Sequence, residues 1–147
     1  MERKPLSAHF NWKDALYLPQ WKVQHLPTAG EIVNIKRMAD VMEKIRTLCG
    51  DRPISIHCWS RPVLMAPGHP KHGQDYNALV KGAPSSMHKK GLAVDFSVVG
   101  MSCDDVRVLL SMKLKELGIR MERNPGSNWV HVDLRPVVND ADRYFHP

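Results

Sequence analysis

Cysteine is scarce in this chain, with three in 147 residues (Cys49, Cys58 and Cys103), and no two of them form a CxxC pair. An odd, scattered set excludes a disulfide framework and fits a reducing compartment. The same scarcity excludes a closed thiolate zinc site, which would need up to four such ligands. Long apolar runs are also missing. Nothing approaches the roughly 18 residues of a membrane span, so no membrane anchoring is expected. The start, Met1 to Phe10, has charge but no apolar stretch behind it, and is not read as a secretory signal. Repeats, linkers and low-complexity tracts are absent, so residues 1–147 are read as one domain, long enough to bury its own core.

Charge is present in excess of one sign. Lys and Arg outnumber Asp and Glu by 21 to 15, giving a formal charge of +6 and a pI near 9.4. Such a surface attracts polyanions. The basic residues are scattered and no nucleic-acid motif accompanies them, so no nucleic acid is expected as partner. An anionic bacterial wall is the other polyanion considered.

Periodicity predicts an α+β fold, with helices packed against a mainly antiparallel sheet. Ile32, Ile35, Met38, Ala39, Met42 and Ile45 recur at helical spacing within Glu31 to Cys49. Thr28 is the expected cap and Gly50 the stop. A second helix is predicted from Ser102 to Gly118, buried through Val106, Leu109, Leu110, Leu114 and Leu117. Ser7 is expected to cap a short helix starting near Asn11. Strands are expected at Ile54–Cys58, Leu92–Val98, Ile119–Arg123 and Trp129–Leu134, a helical turn at Asp75–Val80, and a loop from Arg61 to Gln74.

The chemistry lies in Ser86 to Asp95 and Trp129 to Asp133. Two imidazoles, His88 and His131, and one carboxylate, Asp95, are a donor set for a catalytic zinc ion (Zn2+), which keeps one position open for water. Asp95 is the polar member of an otherwise apolar strand, where an unpaired carboxylate would be costly. Strand alternation sends Val130, Val132 and Leu134 to the core and His131 and Asp133 to the other face, expected to be an open cleft. Taken singly, each residue has a bland reading, His88 as a surface histidine and Asp95 as a backbone-bonded acid. Their joint occurrence favours the metal.

The spacing Ser86, His88, Gly91, Ala93, Asp95 followed by Trp129, His131, Asp133 resembles that of the LAS-type zinc peptidases. These are the D-Ala-D-Ala carboxypeptidases and L-alanyl-D-glutamate endopeptidases of the bacterial wall, and hedgehog domains share their fold. Ser60-Arg61-Pro62 is similar to that family's substrate-binding turn, and Asp75 to Val80 to its approach to the first ligand. The resemblance spans most of the chain and implies a hedgehog-like fold, zinc held by His88, Asp95 and His131, and a peptidoglycan stem peptide as partner. Arg61 would bind a substrate carboxylate or the developing oxyanion, and Ser86 would touch substrate or shape its turn.

One residue departs from the pattern. Many members carry Glu or Asp three residues before the second histidine as general base, and here Asn128 stands there. An amide cannot take a proton near neutral pH, so Asp133 is the preferred substitute, with an orienting role as its alternative. Glu122 is a weaker candidate for that base and is read rather as a solvated residue. His69 and His72, on the loop, and His57 are given the solvent-facing reading. His9, His25 and His146 carry no signal. The expectation is a monomeric wall peptidase of a bacteriophage, made in the host cytoplasm and reaching the wall at lysis. The alternative is a zinc-binding recognition or virion module without catalysis.

Overall fold

In the computed structural model, residues 4–20, 22–62 and 73–147 are described. His69, His72 and most of the expected loop from Arg61 to Gln74 lie outside them.

Local hydrogen-bonding chemistry sets the helix starts. Thr28 accepts the Glu31 N–H at 3.2 Å while Glu31 Oε2 accepts the Thr28 N–H at 2.8 Å. This reciprocal cap satisfies two otherwise orphaned donors and starts α2 (Ala29–Leu48), slightly ahead of the first apolar position. At α1 (Trp12–Leu16) the cap is Asn11, which exchanges bonds with Asp14. Ser7, the expected cap, instead donates to Glu43 Oε1 at 2.6 Å, tying the N-terminal segment to α2.

The predicted second helix is two. α4 (Cys103–Ser111) starts at Ser102, whose hydroxyl accepts the Asp105 N–H, and α5 (Leu114–Leu117) follows after a break at Met112 and Lys113. The Ser111 hydroxyl donates to the Val108 carbonyl at 2.7 Å, and the Lys113 N–H closes a tight turn onto the Leu110 carbonyl. Those bonds compete with the continuing helical ladder.

Two sheets form. β1 (Tyr17–Leu18) and β2 (Val23–Gln24) make a small antiparallel pair. The main sheet has the order β3-β4-β6-β5-β7. Its members are β3 (Ile54–Cys58), β4 (Ala93–Val98), β5 (Arg120–Glu122), β6 (Val130–Asp133) and β7 (Tyr144–Phe145). All its pairings are antiparallel except β5 with β7. β7 is too short to have shown any alternation.

One face of this sheet carries Val94, Phe96, Val98, Met121, Val130 and Val132, all buried in the core cluster that also contains Ile35, Met38, Met42 and Ile45 of α2. The other face carries Asp95, His131 and Asp133, so the β-sheet period of two divides core from site. The helical turn α3 (Tyr76–Leu79), capped by Asp75, precedes the site segment. Among the described residues no helix is long and apolar enough to cross a membrane.

Between α2 and β4 the chain turns at Gly91, with φ +72°, and a Cβ there would lie 2.7 Å from Ile35 Cγ1. Both the left-handed backbone and the contact demand glycine. Gly91→Ala is expected to lower unfolding free energy by about 2 kcal/mol or more, read by denaturant titration, whereas an exposed control such as Lys90→Ala stays within about 0.5 kcal/mol.

Candidate metal centre

His88 sits on a 3₁₀ turn (Met87–Lys90) whose cap is Ser86; the Ser86 hydroxyl accepts the His88 N–H at 3.3 Å. The imidazole is buried. Its Nδ1 lies 2.7 Å from the Trp59 carbonyl oxygen. A carbonyl only accepts, so Nδ1 carries a proton and Nε2 is the nitrogen that a cation can take in place of a proton. Nε2 points at Asp95 Oδ2, 3.3 Å away. Trp59 is itself pinned by its indole N–H to the Gly91 carbonyl at 3.1 Å.

The β4–β6 register places Asp95 directly opposite His131. Asp95 Oδ1 lies 2.8 Å from His131 Nδ1, and His131 Nε2 lies 3.0 Å from Asp133 Oδ2. The two imidazole rings meet edge to face with centroids 5.3 Å apart. His88, Asp95 and His131 are thus brought together as a compact group.

Among these donors it is the His88–Asp95 pair whose separation fits a tetrahedral cation, and the described group with all ligand atoms within 4.8 Å of one another is Cys58, His88 and Asp95, without His131. Two ligands about 2.0 Å from zinc stand about 3.3 Å apart, the separation found between His88 Nε2 and Asp95 Oδ2. Each histidine also has an oxygen acceptor on its far nitrogen, Trp59 for His88 and Asp133 for His131, the arrangement that orients metal-binding imidazoles. The electrostatics agree. Burial opposes protonation of His88, but the Cys58 sulfur and the Asp95 carboxylate outweigh it and push it up to about 10. Burial likewise opposes ionisation of Asp95, yet hydrogen bonds from His131 and His88 hold it well below the usual carboxylate range. A site that attracts protons this strongly attracts a divalent cation for the same reason.

Cys58 was missed as a member of the group. A register shift between Ile56 and Cys58 sets it opposite Asp95. Its sulfur lies 3.7 Å from His88 Nδ1, and ligand atoms of Cys58, His88 and Asp95 all fall within 4.8 Å of one another. A β-bulge leaves no trace in apolar alternation, so only the pairing reveals it. The sulfur stands on the Nδ1 side of the ring, where the Trp59 carbonyl already takes the proton. Nε2, the free donor, looks toward Asp95.

Asp133 lines a cleft with His131, as expected, but it is not open to solvent there. It is 1% exposed, held by both Arg120 Nε (2.9 Å) and Nη2 (2.8 Å), and it accepts the Arg135 N–H at 3.0 Å. Burial works against the charged form, but His131 and Arg120 keep the carboxyl well below its ordinary value. A carboxylate so engaged orients His131 and is a poor proton acceptor. Arg120 in turn stacks 3.9 Å from the Phe145 centroid, and Phe145 meets His131 edge-on at 6.0 Å.

Asn128 is also corrected. It precedes β6 on an exposed loop and lines a surface pocket with Ser102, Cys103 and Asp104, away from the two histidines. Arg107 fixes that loop through the Ser127 and Trp129 carbonyls. The carboxylate beside the centre is Glu122. With His131, Ser86 and Phe145 it lines a cleft of about 490 Å³, and it makes no hydrogen bond or ion pair to any described residue. Three residues of sequence separation matter less here than adjacency across strands: β5 pairs with β6 in a register that brings Glu122 level with His131.

Arg61 is anchored at the His88 end. Its N–H donates to the His88 carbonyl at 2.9 Å, and its Nη1 donates to Asn77 Oδ1 at 3.0 Å. Asn77 is buried and donates to the Ala83 carbonyl. Gly82 makes room for this pair, since a Cβ there would lie 2.2 Å from Asn77 Oδ1 and 2.6 Å from Arg61 Nη1. His57, on the exposed sheet face, pairs with Ser97 at 2.8 Å.

A sequence profile of the Peptidase M15 family matches residues 22–133. The chain belongs to this family. M15 peptidases are generally zinc-dependent, so the family match makes this chain a zinc metallopeptidase. The matched stretch contains Arg61, His88, Asp95, Glu122 and His131 and ends at Asp133. Among curated proteins and solved structures, none matches this chain.

Asp133→Asn is expected to cost about 3 kcal/mol of stability at pH 7, because it leaves Arg120 without its buried partner. The Asp133 carboxyl is depressed in the folded state, so its contribution is complete above about pH 5 and fades as acid protonates it. Denaturant unfolding across pH should therefore show the variant and the parent converging below about pH 4; a constant gap would contradict the pairing.

Proposed function

We propose that this M15 peptidase hydrolyses an amide in the peptide stem of bacterial peptidoglycan, with zinc held by His88 Nε2, Asp95 and His131 Nδ1. The observation that carries this reading is the pair of histidines, each with one nitrogen fixed by an oxygen and the other turned to Asp95, beside a cleft with an uncommitted carboxylate. When bound, zinc supplies Lewis-acid polarisation and makes water more acidic.

The chain's own groups do the rest. Glu122 takes the proton from the attacking water and returns it to the leaving amine, the work of a general base and then acid. Arg61 offers planar paired donors to a substrate carboxylate or to the oxyanion. Asp133 keeps the His131 ring in place, and Ser86 shapes the turn that presents His88 while also facing the cleft. In this scheme His131, not Cys58, would be the third residue to hold the ion.

The basic surface suits an enzyme meeting the anionic polymers of a wall. The L-alanyl-D-glutamate bond is the first scissile candidate and D-Ala-D-Ala the second. Lysis by a bacteriophage, with a monomer reaching the wall from the host cytoplasm, is the proposed setting.

Mass spectrometry of purified peptidoglycan digested with and without a chelator tests the reading. Chelator-sensitive new termini name the bond; an intact wall from folded, zinc-loaded protein would sink it in favour of a zinc-binding recognition or virion module. His88→Ala and His131→Ala should lose both zinc and turnover. Glu122→Gln should keep zinc and lose about a hundredfold or more in kcat, while Asn128→Asp changes little. A Glu122→Gln enzyme with parental kcat would remove Glu122 from the chemistry.

A further inference from the structure

Two guanidinium groups line the cleft beside His131, Arg120 and Arg135, and they differ in how their charge is met. Arg120 is matched by Asp133 through two hydrogen bonds. Arg135 has no carboxylate. Its Nη2 donates to the Ser85 carbonyl, and its side chain makes no ion pair with any described residue. A guanidinium has five N–H donors in a planar fork, so most of those on Arg135 have no described acceptor. The residue is half-buried, where a cation without a counter-ion is unfavourable and an incoming anion is correspondingly rewarded.

The position of Arg135 is rigid at its base. Its backbone N–H is bonded to Asp133 Oδ1 at 3.0 Å, the same carboxylate that holds His131. Arg61 is fixed in the same manner at the other end, by its N–H to the His88 carbonyl. The two arginines therefore flank the centre, Arg61 bonded to His88 and Arg135 to the carboxylate that holds His131. Glu122 lines the same cleft as Arg135 without pairing with it, which leaves both groups free for substrate.

Resting on the peptidase reading above, we propose that Arg135 forms a second carboxylate subsite on the His131 side of the centre. The preferred substrate is then an acidic peptide with carboxylates on both sides of the reacting amide, one for Arg61 and one for Arg135. Arg135 selects substrate, and it takes no part in proton transfer.

The test is calorimetric binding of N-acetyl-L-aspartyl-D-alanine, which carries one carboxylate on each side of its central amide, to the zinc-loaded protein, compared with the two forms in which one carboxylate is amidated. Chromatography of the same samples reads cleavage separately, so a failure of the peptidase reading is distinguished from a failure of the subsite. Wild-type protein should bind the free diacid about tenfold or more tighter than one of the amides, as expected for a charge-assisted bidentate contact. Arg135→Gln should bring that ratio close to one with zinc content unchanged, and Arg61→Gln should act on the other amide. A merely structural role for Arg135 would weaken all three ligands alike and leave the ratio intact, which overturns the proposal. So does a wild-type protein that treats acid and amides equally or binds none of them. If Arg135→Gln does not fold, Arg135→Lys decides. It keeps the charge without the fork, and the ratio should fall severalfold; an unchanged ratio overturns the subsite.

Discussion

Asp95 is the residue on which the site depends. It stands between two imidazoles, opposite His131 across the β4–β6 ladder and 3.3 Å from His88, in surroundings that leave it little solvent. A carboxylate in that position needs positive charge close by, either protons on the histidines or a cation in their place. The surrounding fold reads as the means of keeping those three groups at that separation. β4 and β6 set Asp95 against His131, the Trp59 carbonyl sets the rotation of His88, and the turn at Gly91 brings the His88 segment back against α2.

Outside this centre lies a second layer with its own charge balance. Asp133 joins His131 to Arg120, Arg120 lies on the Phe145 ring, and that ring returns to the edge of His131. The closed circuit immobilises the His131 ring using groups that need not touch substrate. It also explains why a carboxylate two residues from His131 on the same strand face is a poor proton acceptor while one on the neighbouring strand is available. Asp133 is consumed by its arginine and Glu122 is not.

Much of this was legible in the residue pattern. α2 and its Thr28 cap, the strands from Ile54 and Val130, and the polar face of β4 follow from apolar spacing and capping chemistry. The grouping of His88, Asp95 and His131 follows from a resemblance in motif. What escaped depends on contacts between segments. The break after Ser111 comes from a hydroxyl that bonds backwards, and a two-residue parallel strand such as β7 has no periodicity to detect. Cys58 enters the group through a bulge. Asp133 is buried against Arg120 rather than open, because burial of a carboxylate depends on whether an arginine across the sheet reaches it, and Arg120 carries no sequence mark of its destination.

The cleft beside His131 is built from two stretches of chain with different status. His88, Asp95, Glu122 and His131 fall within the stretch shared with the M15 family, whereas Arg135 and Phe145 lie beyond it. One wall thus lies within the matched stretch and the other is supplied by the chain that follows it. Arg135 and Phe145 meet His131 only through Asp133 and the edge of a ring, so exchanging them leaves His88 and Asp95 in place. Such a division lets one hydrolytic centre be refitted to new peptides by rewriting a short tail segment, while the shared segment stays as it is.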